Sequence, residues 1–424
     1  MRLRRLAPLL LTLSLAASGC ADANDASEMA GPGTPTIGDE TYTPPSGEEA
    51  ENPGGIQAGT LTAGAWDDNL NFDFFLGYLE RLERQQLAGL PRVPRADRLV
   101  IDIKEGAGRA AAGAEVTVIH RGQELFRGPT GADGRVYYFP AWDQVAQGDE
   151  LEIVASSGSA RASTTARAGA SSAVVTLADA RVEEVLGLDV ALVLDTTGSM
   201  GDELDYLKAE VEGISAAIHA RYPTVDQRWA LVVYRDHGDE YLVRSYDFSD
   251  LQTFRTMLRG QSYGGGGDLP EAPEVALDEA MRLSWRGGAT ARLLFHVADA
   301  PHHVGREGAL LEGVRLARSK GVRIYPVAAS GVDELAEATM RSEAQLTGGR
   351  YLFLTDDSGV GGAHKEPSLP CYLVTRLDKA MVRMVAMEVS GRRLEPEPAD
   401  ILRTGGNPQD GRCTLDDGEQ VEVL

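Results

Sequence analysis

The chain has 424 residues and a formal charge of −23, with 43% hydrophobic and 25% charged residues. At roughly 100–200 residues per domain it is long enough for two or three domains with sizeable cores. The negative charge excludes the basic footprint of a nucleic-acid binder and suits a cation-binding or simply well-solvated protein. Beyond the N-terminus, no apolar run approaches the roughly 18 residues of a membrane helix.

Residues 1–19 read as an export signal. Arg2, Arg4 and Arg5 precede the apolar run Leu6–Ala17, and small residues follow. The sequence Ala17-Ser18-Gly19-Cys20 resembles a bacterial lipobox. That resemblance implies a lipid on Cys20 and a place in the bacterial envelope. Ala21-Asp22 after the cysteine favours the outer membrane, on its periplasmic or surface face. Lipid chains contribute roughly 0.8 kcal/mol per buried CH₂, so two or more anchor stably. With Cys20 lipidated, Cys371 and Cys413 remain as a pair, expected to form a disulfide outside the cytoplasm.

Residues 20–66 carry eight acidic residues and no Lys or Arg, and are rich in Gly, Pro, Ser and Thr. They cannot bury enough apolar surface to offset chain entropy, and read as a disordered acidic tether. Residues 67–96 read as a helical linker with an aromatic entry at Phe72, Phe74, Phe75 and Tyr78. It either packs on the neighbouring domain or presents a docking patch.

Residues 97–180 read as a small all-β sandwich. Seven short alternating or β-branched runs are separated by Gly, Asp and Pro turns at about 8–14-residue spacing. The stretch containing Thr130-Gly131-Ala132-Asp133-Gly134-Arg135 resembles the carboxypeptidase-regulatory-like sandwiches. No catalytic constellation lies within it, which leaves a spacer or interaction module.

Residues 183–390 change period. Apolar runs at 188–195, 228–235, 291–298, 322–328 and 350–354 have the continuous character of buried parallel strands. A further run at 241–248 suggests an antiparallel strand. Amphipathic helices fall between them: Leu204, Leu207, Val211, Ile214 and Ile218 repeat at three and four residues, and 270–285, 309–319 and 335–346 behave likewise. The pattern predicts an α/β fold, a doubly wound parallel sheet covered on both faces. Residues 391–424 read as a C-terminal strap pinned by the disulfide.

Ligands of such a sheet sit beyond the strands' carboxyl ends. The first parallel strand ends in Asp195-Thr196-Thr197-Gly198-Ser199. On an extended turn Asp195, Thr197 and Ser199 point the same way, and their hard oxygens suit Mg²⁺, Mn²⁺ or Ca²⁺. This segment resembles the D-x-[ST]-x-S element of the metal-ion-dependent adhesion site of von Willebrand factor type A domains. The resemblance extends over about 200 residues and implies that fold. It implies Asp299, at the end of Phe295-His296-Val297-Ala298-Asp299, as a further metal-site residue.

Where the family's middle loop offers a Thr, this chain has Gly264–Gly267, Asp268, Leu269, Pro270 and Glu271, similar to a bacterial and kinase-associated branch. Asp268 either joins the metal site or caps the helix opening near Pro270, and the roles are compatible. Glu271 and Glu274 read as first-turn helix residues. Arg235–Glu240 reads as a salt-bridged loop beside the site.

His302 and His303 read as a solvated pair on the same rim, with ligand contact as the alternative. The quartet of glycines lacks the P-loop lysine, and no G-x-S-x-G elbow or H-E-x-x-H pair occurs. The sequence therefore points to a non-enzymatic binding module. It would hold Mg²⁺, with Mn²⁺ or Ca²⁺ possible, and take a protein partner through a carboxylate. The alternatives are a metal-rigidified scaffold for envelope assembly and, more remotely, a metal-assisted hydrolase using His302 or His303.

Overall fold

The computed structural model describes residues 57, 59–94, 98–180, 184–267, 269–360 and 362–423. The export signal, Cys20 and most of the acidic segment lie outside the described residues. The described chain opens with strand β1 (Thr62–Trp66) and helix α1 (Phe72–Arg84). Seven strands follow: β2 (Leu99–Glu105), β3 (Glu115–His120), β4 (Gln123–Pro129), β5 (Arg135–Tyr138), β6 (Glu150–Ser157), β7 (Ala160–Arg167) and β8 (Ser172–Leu177). Next come β9 (Gly187–Asp195), α2 (Gly201–Arg221), β10 (Asp226–Tyr234), β11 (Val243–Ser249), α3 (Leu251–Arg259), α4 (Pro273–Arg282) and β12 (Thr290–Ala298). They are followed by α5 (Glu307–Lys320), β13 (Arg323–Ala328), α6 (Glu334–Thr347), β14 (Tyr351–Leu354), β15 (Tyr372–Arg376) and α7 (Leu377–Ser390). The chain finishes with β16 (Arg403–Gly405) and the short pair β17 (Arg412–Thr414) and β18 (Gln420–Glu422).

One nine-stranded sheet runs β11-β10-β9-β12-β13-β14-β1-β15-β16. β10, β9, β12, β13 and β14 are parallel. β11 is antiparallel on its edge, as the sequence predicts. The continuous apolar runs are explained by burial on both faces: Leu188, Val190, Leu192 and Leu194 pack with α2, α3 and α7, while Ala191 and Val193 face α1, α4, α5 and α6. The stripe of Leu204, Leu207, Val211, Ile214 and Ile218 on α2 is buried throughout. Asp250 and Asp333 cap α3 and α6 by accepting backbone N–H bonds at 2.9 and 2.7 Å.

The expected tether reaches too far. Thr62–Trp66 is not chain outside a domain but an interior strand, antiparallel to both β14 and β15 and fully buried. Its sequence, TAGAW, is poor in the β-branched residues that mark strands. Small residues are required here because Phe353 crosses its face: a Cβ on Gly64 would lie 2.2 Å from that ring. The helical linker is likewise part of the core, with Phe75, Tyr78, Leu79 and Leu82 of α1 buried against the sheet. At the other end, β16 extends the sheet beyond residue 390. Cys371 is disulfide-bonded to Cys413 on β17. The α/β domain therefore draws strands from both sides of the expected 183–390 segment.

Between α1 and β9 the chain builds the seven strands expected from their alternation. They form sheets β5-β2-β8 and β4-β3-β6-β7 around a separate core. Arg315, Arg318 and Arg323 of the α/β domain reach into this module, bonding Asp143 (2.8 Å), the Tyr137 carbonyl (3.0 Å) and Asp133 (2.6 Å).

Candidate functional site: an acidic rim at the ends of the central strands

β9 ends at Asp195 and β12 at Ala298, side by side in the centre of the sheet. The loops that leave them bring Asp195, Thr197, Ser199 and Asp299 to one rim. Asp195 is fully buried; its Oδ1 accepts bonds from the Thr197 backbone N–H (2.9 Å) and hydroxyl (2.7 Å). Thr197 Oγ1 lies 3.4 Å from Ser199 Oγ, and the Ser199 hydroxyl lies near enough to the Asp299 carboxylate to favour its charged form. Asp268 lies outside the described residues. The helix after it opens at Pro273, with Ala272 at the capping position.

Three carboxylates absent from the expected ligand set crowd the same place. Glu271 is not a first-turn residue. It precedes α4, is 2% exposed, and is fixed by its N–H bond to the Pro301 carbonyl (2.9 Å) and a bridge to His302. Gly266, at φ +64°, passes between it and Thr197; a Cβ there would meet both at 2.9 Å. Glu203, on the first turn of α2, is buried beside Asp299 and takes bonds from Ser330. Asp239 accepts the Gly266 N–H. Glu271 and Asp239 stood in segments that the sequence places beside the site, Glu271 in the loop after the glycines and Asp239 in the Arg235–Glu240 loop. Glu203 reads as an ordinary helix residue, and the loop after β10 brings Asp239 in from a distant part of the chain.

The electrostatics follow from this crowding. Burial, then the charge of Asp299, pushes Asp195 up to about 7 against the pull of its Thr197 bonds. Burial, then Asp195, Asp236, Asp239 and Asp299, pushes Glu271 up to about 9. Burial also raises Asp299, with Glu203 adding to it and Ser199 opposing it. Asp195 Oδ2, Glu203 Oε2, Glu271 Oε2 and Asp299 Oδ1 are all buried with no hydrogen-bond donor among the described residues. Buried carboxylate oxygens are normally satisfied, and four such orphans at one rim have the chemistry of hard-cation ligands. Among the described residues, no three His, Cys, Asp or Glu form a metal cage by themselves. An ion here would draw on the Thr197 and Ser199 hydroxyls and on water as well.

The histidines depart from expectation. His302 is not solvated: it is fully buried, with Nε2 3.0 Å from the Gly89 carbonyl and Nδ1 3.4 Å from Thr339 Oγ1. It cannot serve as an accessible base. His303 stays half-buried on the rim, 2.6 Å from Asp236. Arg235 bonds the Thr196 carbonyl (3.1 Å) and the Ser262 carbonyl (2.9 Å), and reaches Glu240 at 3.5 Å. It therefore ties the β9 loop, the glycine loop and the loop after β10 together.

With this arrangement in place, comparison with known proteins identifies the domain. Residues 189–359 match the von Willebrand factor A domain family model. They are a von Willebrand factor A domain. Two curated proteins match part of the chain. The alpha-protein kinase vwkA of Dictyostelium discoideum is 27% identical over 122 residues, covering 27% of this chain and 19% of that protein. A putative ariadne-like RING finger protein of Acanthamoeba polyphaga mimivirus is 31% identical over 117 residues, covering 27% of this chain and 11% of that protein. The chain thus spans less than a fifth of either relative's length. Among solved structures, the conserved hypothetical protein BatB from Bacteroides thetaiotaomicron aligns with 48% of this chain and 98% of its own, at TM-score 0.34 and 16% identity.

Proposed function

We propose that the von Willebrand factor A domain is a divalent-cation-dependent protein-binding module, displayed by a lipid-anchored bacterial envelope protein. The orphaned, buried carboxylate oxygens of Asp195 and Asp299 beside the Thr197 and Ser199 hydroxyls carry this reading. Asp195, Thr197, Ser199, Asp299 and Asp268 would hold the ion, some through water. Mg²⁺ is the leading candidate, since every donor is a hard oxygen. When bound, the ion would offset the like charges and present a positive centre to a partner's carboxylate. Tyr263, Leu269 and Val304, on the loops that build the rim, are 51%, 59% and 65% exposed. Apolar side chains around a polar centre suit protein docking. The export signal and lipobox supply the envelope placement, and the acidic segment supplies distance from the membrane.

A second reading is favoured by Glu271 and Glu203. Their added charge would make a bound ion less electrophilic, so that it braces the loops and the partner binds elsewhere. Calorimetric titration of Mg²⁺, Mn²⁺ and Ca²⁺ into the metal-stripped chain, with Asp195→Ala alongside, tests the centre. One saturable site that disappears in the variant supports it; absence of binding by the folded chain overturns it. Partner retention that survives chelation would select the bracing role over the docking role.

A further inference from the structure

A second charged region lies far from the rim in kind. A cleft of about 410 Å³ opens between the β-module and the α/β domain, within the size range of ligand pockets. Arg98, Arg135, Arg323, Arg350, Arg392 and Arg393 line it, against four carboxylates and no lysine. Six guanidinium groups converge there in a chain of net charge −23.

The four carboxylates are already engaged. Asp102 takes Arg135 (2.9 Å), Asp133 takes Arg323 (2.6 Å), Asp67 takes Arg350 (3.0 Å), and Glu388 takes Arg323 (2.8 Å) and the Tyr325 hydroxyl (2.6 Å). Arg393 is held by Glu395 and Glu422. Arg98 and Arg392 are left over. Arg98 spends Nη1 on the Asn69 carbonyl and side-chain oxygens, at 3.0 and 2.9 Å. Its guanidinium lies 4.0 Å from the Phe72 ring centre and 5.9 Å from that of Tyr137. Among the described residues, its Nε and Nη2 and the whole Arg392 guanidinium have no hydrogen-bond partner, and neither arginine has a carboxylate within ion-pair distance. Ser171 and Ser172 line the same cleft.

We propose that this cleft binds a small oxyanion carrying two or more negative charges, with Arg98 and Arg392 as its principal contacts. Arginine presents its donors as a rigid fork that matches carboxylate and phosphate oxygens. The aromatic rings hold the Arg98 fork in place before a ligand arrives, which reduces the ordering cost of binding. Because the walls come from the β-module, the segment after β1 and the segment after α7, an occupant would link the β-module to the α/β domain. This site is independent of the cation centre.

The test is calorimetric titration of pyrophosphate and of citrate into the metal-stripped chain at low salt. The variants are Arg98→Gln/Arg392→Gln, Arg392→Gln alone and Asp195→Asn. Saturable one-to-one binding is expected, weakened at least about tenfold in the double variant and unchanged in Asp195→Asn. Binding of pyrophosphate alone would assign a phosphate ligand and of citrate alone a carboxylate ligand; either supports the site. Arg392→Gln alone removes an exposed, unpaired side chain, so its weakened binding reads the cleft even where the double variant fails to fold. Absence of saturable binding up to about 10 mM, or undiminished binding in the folded arginine variants, overturns the proposal.

Discussion

The acidic rim and the cluster around Arg341 are two buried charged regions with opposite completeness. Arg341 is fully buried, yet Asp68 accepts from its Nη2 and Nε at 2.7 and 3.0 Å, Glu337 lies at 3.4 Å, and the Tyr78 ring centre lies 4.0 Å away. Glu337 takes the Ser368 N–H (2.9 Å) and Lys365 (3.0 Å) as well, and Asp68 takes the Trp66 indole N–H (2.9 Å). The chain supplies every counter-charge, so this cluster clamps the β1–α1 turn to α6. At the rim Asp195, Glu203, Glu271 and Asp299 face one another with orphaned oxygens. Buried like charges are costly; the Thr197, Ser199 and Ser330 donors offset them only in part, and among the described residues no cationic side chain forms an ion pair with any of the four. A closed set of charges marks structure; an open set marks a place for something from outside.

The largest expected effect breaks the closed set. Arg341→Met leaves Asp68 and Glu337 buried without their counter-ion, at a cost of about 3–5 kcal/mol. Chemical denaturation measures it, and a loss below about 1 kcal/mol would show that the cluster is not the clamp described.

Asp195→Asn acts on the open set in the opposite sense. Asn keeps the Oδ1 acceptor for Thr197 but removes one of the facing charges. The metal-free variant should be more stable than the parent by about 1–2 kcal/mol near neutral pH, while saturable cation binding is lost. Lower stability without metal would contradict the crowding account.

The same contrast should appear against pH. Asp195 and Glu271 hold protons more tightly folded than unfolded, at about 7 and about 9 against ordinary values of 3.8 and 4.5; Asp299 shifts the same way. Protonation therefore favours the folded state. That contribution is complete below the ordinary carboxylate range and is lost as pH rises through about 7 and then about 9. Thermal unfolding of the metal-free chain should show declining stability over this window, and saturating Mg²⁺ should flatten the decline. A metal-free profile that is flat from pH 5 to 9 would reject the coupling.

The smallest effect separates the carboxylates of the rim from each other. Glu271→Gln should weaken Mg²⁺ binding by about tenfold without abolishing it, the size expected of a supporting group rather than the principal ligand. Unchanged affinity in calorimetry would place Glu271 outside the centre.

Much of the α/β domain was legible because buried parallel strands are continuous apolar runs and their covering helices keep a 3.6-residue stripe. Leu188–Asp195 lies within β9, and the stripe from Leu204 to Ile218 is the buried face of α2. Asp195, Thr197 and Ser199 do meet at one rim, but not by extended alternation: Gly198–Met200 forms a 3-10 turn that places Ser199 beside Thr197. β1 was not legible: its Ala and Gly residues are chosen by the Phe353 ring above Gly64, a contact nearly 300 positions away. His302 was misread for a related reason, because its burial depends on the Gly89 carbonyl and on Thr339 of α6.

Periodicity, punctuation and motif spacing, all short-range properties, determined the class of fold, the order of its units and the loop that begins the rim. Which carboxylates share that rim was settled only when the sheet placed the ends of β9, β10 and β12 together, bringing Asp239 and Glu271 to Asp195. The pairing of Arg341 with Asp68, 273 positions apart, was decided the same way. Whether a charge is satisfied depends on distances between remote residues, and tertiary packing alone sets those distances.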